Sequence, residues 1–287
     1  MKSISLGYSP CPNDTFIFYA MLHGKVRTDH LKFNEVLLDV ETLNQKALDA
    51  ELDITKISYH AFGHLRNKYC LLRAGGAIGR GCGPLVISKH EYGMEELHEK
   101  KIAIPGRLTT ANLLLHLYYS SLGPQLSAVS TQLPHIVEMS FHKIIESVAN
   151  GEVDAGLIIH ESRFTYPSHG LKEIMDLGSW WEKETCLPIP LGGIIAKRSL
   201  GDDLIKKIDT ILKQSVHYAF NNRAEPMRYM KEHSQELSDN VVKQHISLYV
   251  NDFSIDVGDT GEKAVAELIT RAEKEGIIPE SNQKIFI

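Results

Sequence analysis

"GEVDAGLIIHESRF" (residues 151–164) and "AELDITKISYHAF" (50–62) follow one pattern: a helix end, Glu-x-Asp, an apolar strand, then a polar turn. A second pair lies upstream of each. "GYSPCPNDTFIF" (7–18) and "IPGRLTTANLLL" (104–115) both set a proline-containing turn between a strand and a helix that opens on threonine, Thr15 or Thr109. "GPLVISK" (83–89) and "GGIIAK" (192–197) are two apolar crossings, each with glycine before it and lysine after it. The same unit therefore occurs twice, with about a hundred residues between copies.

Strands spaced by helices predict an α/β fold with largely parallel sheets. Two similar α/β units joined by two crossing strands predict a two-lobed, hinged clamshell. Residues 1–88 and 195–287 form one lobe, and the inserted 89–194 forms the other. The first lobe reads as strands at 3–8, 33–40 and 53–59, a helix with Thr42 and Gln45 in capping-box spacing that runs to Leu52, and a helix from His60 to Tyr69. In the second, "TTANLLLHLYYSSLG" (109–123) is a helix closed by Gly123. Phe141, Ile144, Ile145 and Val148 then repeat at the period of a one-sided helix. The charged C-terminal part, from "LGDDLIKK" onward, reads as helices with solvated faces wrapped on the first lobe.

The chain has 287 residues and a net charge of −5, with 31 Lys and Arg against 36 Asp and Glu in no stripe, so no footprint for nucleic acid is expected. A small-molecule partner is the expectation. The N-terminal stretch has no apolar signal core and no run approaches a membrane span, so the expectation is a cytoplasmic protein with no membrane partner. Four cysteines without C-x-x-C spacing argue against a thiolate metal site or a disulfide scaffold. Cys11, in a Pro-Cys-Pro loop, is a packing thiol or a reactive one. His60 and His64 have i, i+4 spacing without the glutamate of a zinc motif, so no metal is expected there. "GGAIGRGCG" (75–83) lacks both nucleotide-binding glycine patterns and reads as an approach to the hinge. Trp180 and Trp181 either pack core or cover a ligand.

A clamshell of parallel strands turns their carboxyl ends and the following helix starts toward one crevice. His160 stands at such an end, where a neutral imidazole can serve as a base oriented by Glu161, Ser162 or Arg163. Its alternative is a structural histidine. Thr55, Lys56, Ile57 and Ser58 occupy the matching strand end of the first lobe. Lys56 interrupts an apolar strand and must meet an anion or a carboxylate such as Asp53. Thr109 and Thr110 open a helix whose free N–H groups suit a carboxylate or phosphate; simple N-capping is the other reading, and both can hold.

"GYSPCPNDTFIFYA", "DVETLN", "TKISY", "PGRLTT", "GLIIHESRFTY" and "LPIPLGG", in this order and over nearly the whole chain, resemble the 1,4-dihydroxy-6-naphthoate synthases of the futalosine route to menaquinone. The resemblance implies a type-2 periplasmic-binding-protein fold used as a cytoplasmic lyase without cofactor or metal, a monomer or weak homodimer. It implies cyclic dehypoxanthinylfutalosine, a carboxylated bicyclic ring with a sugar-derived portion, as substrate. His160 would be the proton acceptor, with Thr55, Lys56 and Ile57 and Thr109 and Thr110 in the substrate-contacting segments. Two competitors share the fold: a chorismate dehydratase of the same pathway and a non-enzymatic solute receptor.

Overall fold

The repeated Glu-x-Asp has a single backbone purpose in both places. Asp53 Oδ2 accepts the N–H of Ser5 at 2.9 Å, and Asp154 Oδ2 accepts the N–H of Lys101 at 2.9 Å. Each carboxylate stands one residue before its strand and satisfies a donor of the neighbouring strand. That bond helps set the register. Leu6 lies opposite Ile54 and Gly7 opposite Thr55 in one copy; Ile102 lies opposite Ala155 and Ala103 opposite Gly156 in the other.

The computed structural model of the protein describes residues 2–122, 134–234 and 238–287. Gly123, expected to end a helix, lies outside them. The strands are β1 (Lys2–Tyr8), β2 (Leu31–Leu37), β3 (Ile54–Ser58), β4 (Tyr69–Leu71), β5 (Ala77–Gly79), β6 (Leu85–Ser88), β7 (Lys101–Ile104), β8 (His135–Glu138), β9 (Ala155–Ile158), β10 (Lys172–Asp176) and β11 (Ile189–Lys197). They form two sheets, one in the order β2-β1-β3-β11-β4 with β5 also on β11, the other in the order β10-β6-β9-β7-β8. Strands β1, β2 and β3 run parallel and β11 joins them antiparallel; β7, β8 and β9 run parallel and β6 joins them antiparallel. The two halves are thus the same unit, as the sequence pairs predict.

Helices follow the strands in step. In the first half α1 (Pro12–Leu22), α2 (Val40–Leu48) and α3 (Tyr59–Gly63) follow β1, β2 and β3. In the second, α4 (Thr110–Ser121), α5 (Phe141–Ala149) and α6 (Ser162–Thr165) follow β7, β8 and β9. Then come α7 (Leu177–Thr185), α8 (Asp202–Asn221), α9 (Pro226–His233), α10 (Asp239–Tyr249), α11 (Asp252–Ile255) and α12 (Gly258–Lys274).

Several expected boundaries move. Helix α1 starts at Pro12, with Cys11 at the N-cap, because proline's missing N–H costs nothing in a first turn; Thr15 sits inside and bonds back to Cys11 O. Asp39, not Thr42, caps α2 by accepting from Glu41 N and Thr42 N, both at 3.1 Å. Strand β2 begins at Leu31, where it pairs with Lys2, and the chain is already helical at Val40. Helix α3 has five residues instead of reaching Tyr69, since residues 64–68 turn on themselves through Lys68 N to Leu65 O. The chain also changes sheets earlier than the joints expected at 88 and 195. Strand β6 already belongs to the second sheet and β11 to the first, so the crossings fall in 80–84 and 186–188.

Helices α1, α8 and α10 cover the far face of the first sheet, where Leu6, Phe16, Ile208, Leu212 and Ile246 pack together. Another buried cluster takes residues from both sheets, Ile57 and Tyr59 from one side and Val86, Ile102 and Leu157 from the other. Polar bonds join the halves at the same place. Thr110 Oγ1 accepts from Tyr59 N at 2.9 Å and donates to Leu191 O at 2.5 Å, and His60 Nδ1 lies 3.3 Å from Thr109 O. A neutral imidazole donating from Nδ1 fits that carbonyl.

Burial lowers the pKa of His60 from 6.5 to about 4. The native state therefore resists a proton that the unfolded chain accepts. Stability from this group is complete above pH 6.5 and is lost as the pH falls from there to about 4. The loss should reach about 3 kcal/mol at most, at 1.36 kcal/mol per pKa unit. Urea unfolding at pH 7, 5 and 4 tests this: His60→Gln should flatten the decline, and an unchanged slope in the variant rules it out.

Candidate active site

Between the two sheets, at the carboxyl ends of β1, β3 and β9, lies a cleft with about 670 Å³ of empty space, part of it open to solvent. Ser9, Asn13 and Asp14 reach it from the β1–α1 turn, Lys56, Ile57 and Ser58 from β3, Thr109, Thr110 and Ala111 from the start of α4, His160 from the end of β9, Leu191 and Gly192 from β11, and Tyr249 from α10. Six of the seven expected site residues meet here. Thr55 does not: it stands opposite Gly7 of β1, fully buried, and its hydroxyl donates to Lys56 O.

The partner of Lys56 is Asp14, not Asp53. Lys56 Nζ is 3.2 Å from Asp14 Oδ1 and donates to Gly75 O at 2.9 Å, whereas Asp53 faces Lys197 at 3.6 Å. Asp14 is 2% exposed and is held besides by Ser9 N at 3.2 Å, Ser9 Oγ at 2.7 Å and Asn13 Nδ2 at 2.8 Å. Charge and donors are thus matched in a site too dry to leave either ion alone. Asn13 continues the chain, its Oδ1 lying 2.9 Å from His245 Nε2.

His245 and Tyr249 are not among the residues singled out from the sequence. Val242, His245, Ile246 and Tyr249 form the buried stripe of α10, at i, i+3, i+4 and i+7. That spacing is the signal that could have found them. Tyr249 donates to the backbone oxygen of His160 at 3.5 Å, and burial pushes its phenol up, so it remains a hydroxyl.

His160 itself has φ of 57°, the left-handed region that histidine enters more readily than most residues. The turn ends β9 and swings the half-buried ring into the cleft. It lies against Phe141 at 5.3 Å and 30° and beside His245 at 6.0 Å and 27°. Burial lowers its pKa against the Glu161 and Asp14 carboxylates, which raise it. The ring is therefore neutral at pH 7 and has a lone pair for a proton. Arg163 does not orient the ring. It binds Gly83 O and Asp176 Oδ2, each at 2.6 Å, and fixes the turn from behind.

In the same cleft, Thr109 caps α4 by accepting Asn112 N at 3.2 Å. The N–H groups of Thr110 and Ala111, next to this cap, stand at the positive end of a 12-residue helix. Ser58 Oγ accepts from Asn44 Nδ2 at 3.2 Å and keeps its own proton to donate. Trp181 is core, donating Nε1–H to Pro188 O at 3.1 Å; Trp180 packs on Tyr118 and not on the cleft.

Removing the ammonium should be costly. Lys56→Met leaves Asp14 buried beside no cation and is expected to lose about 3 kcal/mol in urea unfolding, the low end for a broken buried pair because three donors remain. Adding Asp14→Asn should restore part of it. A loss below about 1 kcal/mol, the scale of an exposed pair, would show that the two charges are not desolvated together.

The family described as "Menaquinone biosynthesis" matches residues 4–274. A 1,4-dihydroxy-6-naphthoate synthase of Thermus thermophilus is 48% identical over 287 residues, covering all of both chains, and one of Streptomyces coelicolor is 41% identical over 277 residues, covering 96% of this chain and 95% of its own. Among solved structures, a protein of Archaeoglobus fulgidus superposes with TM-score 0.87 at 39% identity over 96% of this chain and 98% of the other. The ligand-binding component of an ABC import system of Staphylococcus aureus does so with TM-score 0.72 at 14% identity over 100% and 96%, which bears on the fold alone. The fold is that of periplasmic binding proteins. The chain is an enzyme, and it belongs to the menaquinone-biosynthesis family that contains the 1,4-dihydroxy-6-naphthoate synthases.

Proposed function

We propose that this enzyme is a carbon–carbon lyase that converts cyclic dehypoxanthinylfutalosine to 1,4-dihydroxy-6-naphthoate, with His160 as the base. The observation that carries this reading is the placement of a neutral, ring-stacked imidazole and a helix start in one interlobe cleft, in a chain whose full-length relatives are named for that product. The substrate carboxylate lies at the start of α4, on Thr110 and Ala111 N–H. Lys56 serves the site indirectly, since Asp14 and Gly75 O already hold its ammonium.

The proton leaves substrate carbon for the lone pair of His160. Electrons of that C–H bond enter the ring system, the carbon–carbon bond to the sugar-derived fragment breaks, and that fragment leaves with the bonding pair and takes the proton back from His160. The ring becomes aromatic, which drives the step. What the protein supplies is position, a dry cleft and a base held unprotonated. Ser58 and Asn13 face the same space and suit the hydroxyls of the sugar-derived part.

Incubation with the cyclic substrate should give the naphthoate, followed by its absorbance, and chorismate should be left unchanged. His160→Ala should lower kcat by about 10²–10⁴ while KM moves little, because the ring acts mainly in the transition state. Near-normal turnover in the variant removes the base assignment. Turnover of chorismate instead removes the substrate assignment.

A further inference from the structure

One corner of the cleft holds more lone pairs than protons. Asn13 Nδ2 donates to Asp14, so Asn13 Oδ1 must accept from His245 Nε2–H. A neutral His245 then has a bare lone pair on Nδ1. That nitrogen is buried, in a residue 1% exposed, and lies 3.8 Å from Glu161 Oε2, also buried. Neither atom has a hydrogen-bond partner among the described residues. Two acceptors facing each other call for a positive charge nearby, and Lys56 is engaged elsewhere.

Around Glu161 the donors converge. The Sγ of Cys11, a ring nitrogen of His160 and a carboxylate oxygen of Glu161 all lie within 4.8 Å of one another. Cys11 comes from the β1–α1 turn of one sheet, while His160 and Glu161 come from the end of β9 in the other. Cys11 is the N-cap of α1; burial and the nearby Glu161 carboxylate push its thiol up, so it keeps its proton until a cation takes the sulfur. The group faces a second cavity, lined also by Asp39, Phe141 and His142, which gives an ion a way in and leaves room for a water.

We propose that Cys11, His160 and Glu161 form a binding site for a thiophilic divalent cation of the Zn²⁺ class, with His245 behind Glu161 and the fourth position open. One sulfur, one nitrogen and one oxygen donor with an open place match the ligand types of zinc and not those of magnesium or calcium. The ion displaces the thiol proton of Cys11, which passes to solvent, so affinity rises with pH. It also occupies the lone pair that the reaction needs. On the reading of His160 as the base, and only for this consequence, the metal is an inhibitor that shuts the enzyme by taking its base.

The probe is Co²⁺, followed by Zn²⁺, added to metal-free protein in which exposed Cys186 is replaced by serine. One equivalent of Co²⁺ should give a thiolate-to-cobalt charge-transfer band that Zn²⁺ abolishes. Cys11→Ser should remove the band and weaken Zn²⁺ about a hundredfold, and His245→Gln should weaken it about tenfold, the range for ligands and their supports. Equal melting temperatures of the metal-free proteins establish that the variants fold; Glu161→Gln, which should also lose the ion, gives a milder second test. No band at one equivalent overturns the site, and so does a band that persists without Cys11. In turnover, Zn²⁺ should lower the rate of the parent at least tenfold and a chelator should restore it. A bound ion that leaves turnover intact would keep the site and overturn the base, so the two failures are distinct.

Discussion

Thr110 carries a hydroxyl that takes the N–H of Tyr59 and gives its proton to the carbonyl of Leu191. That oxygen belongs to the second half of the molecule, and both its partners to the first. It stands where β3 becomes α3, where α4 begins and where β11 passes. A hydroxyl is the one side-chain group able to accept and donate at the same point, so a valine of equal shape would leave a donor and an acceptor unmet in a buried place. The cleft floor is therefore set by a polar contact, and the apolar cluster shared by the two sheets closes around it.

From that floor the site divides cleanly by chemistry. The second half supplies the neutral imidazole of His160 and the helix start; the first supplies Asn13 and the Asp14–Lys56 pair, whose charges are matched within the protein. Such matching keeps water and stray protons from being recruited to neutralise a lone ion. It also leaves the imidazole neutral, because burial disfavours its cation more than the two nearby carboxylates favour it. On the proposal that His160 is the base, the demand on the fold is modest: hold one ring unprotonated in the cleft.

Much of this could be read from the chain. Local periodicity revealed the doubled unit, because Asp53 and Asp154 act on the backbone one strand away and therefore recur at a fixed place before their strands. His160 was legible for the same reason, as the residue at the end of a repeated strand. The partner of Lys56 was not. Asp53 is near in sequence but belongs to the strand entrance, while Asp14 arrives from a turn that only the sheet order brings alongside. Helix α10 carries, beside its charged positions, the stripe that buries His245 and Tyr249, and only the sheet it packs on makes that stripe part of the cleft. The start of α1 was placed at Thr15 because a threonine after prolines resembles a cap, although the proline itself fits the first turn better. Thr55 lies buried because it pairs with Gly7 of β1, a neighbour that the sequence of its own strand does not show.

The turn bearing His160 is gripped from two directions. Arg163 ties it to Gly83 and Asp176 around the second sheet, and Tyr249 reaches its carbonyl from a helix packed on the first. Parting the sheets would leave the first grip whole and undo the second. The imidazole would then travel with its own half, away from Asn13, Asp14 and the tyrosine that complete its surroundings. With His160 as the proposed base, the site is complete only while the two sheets stand together.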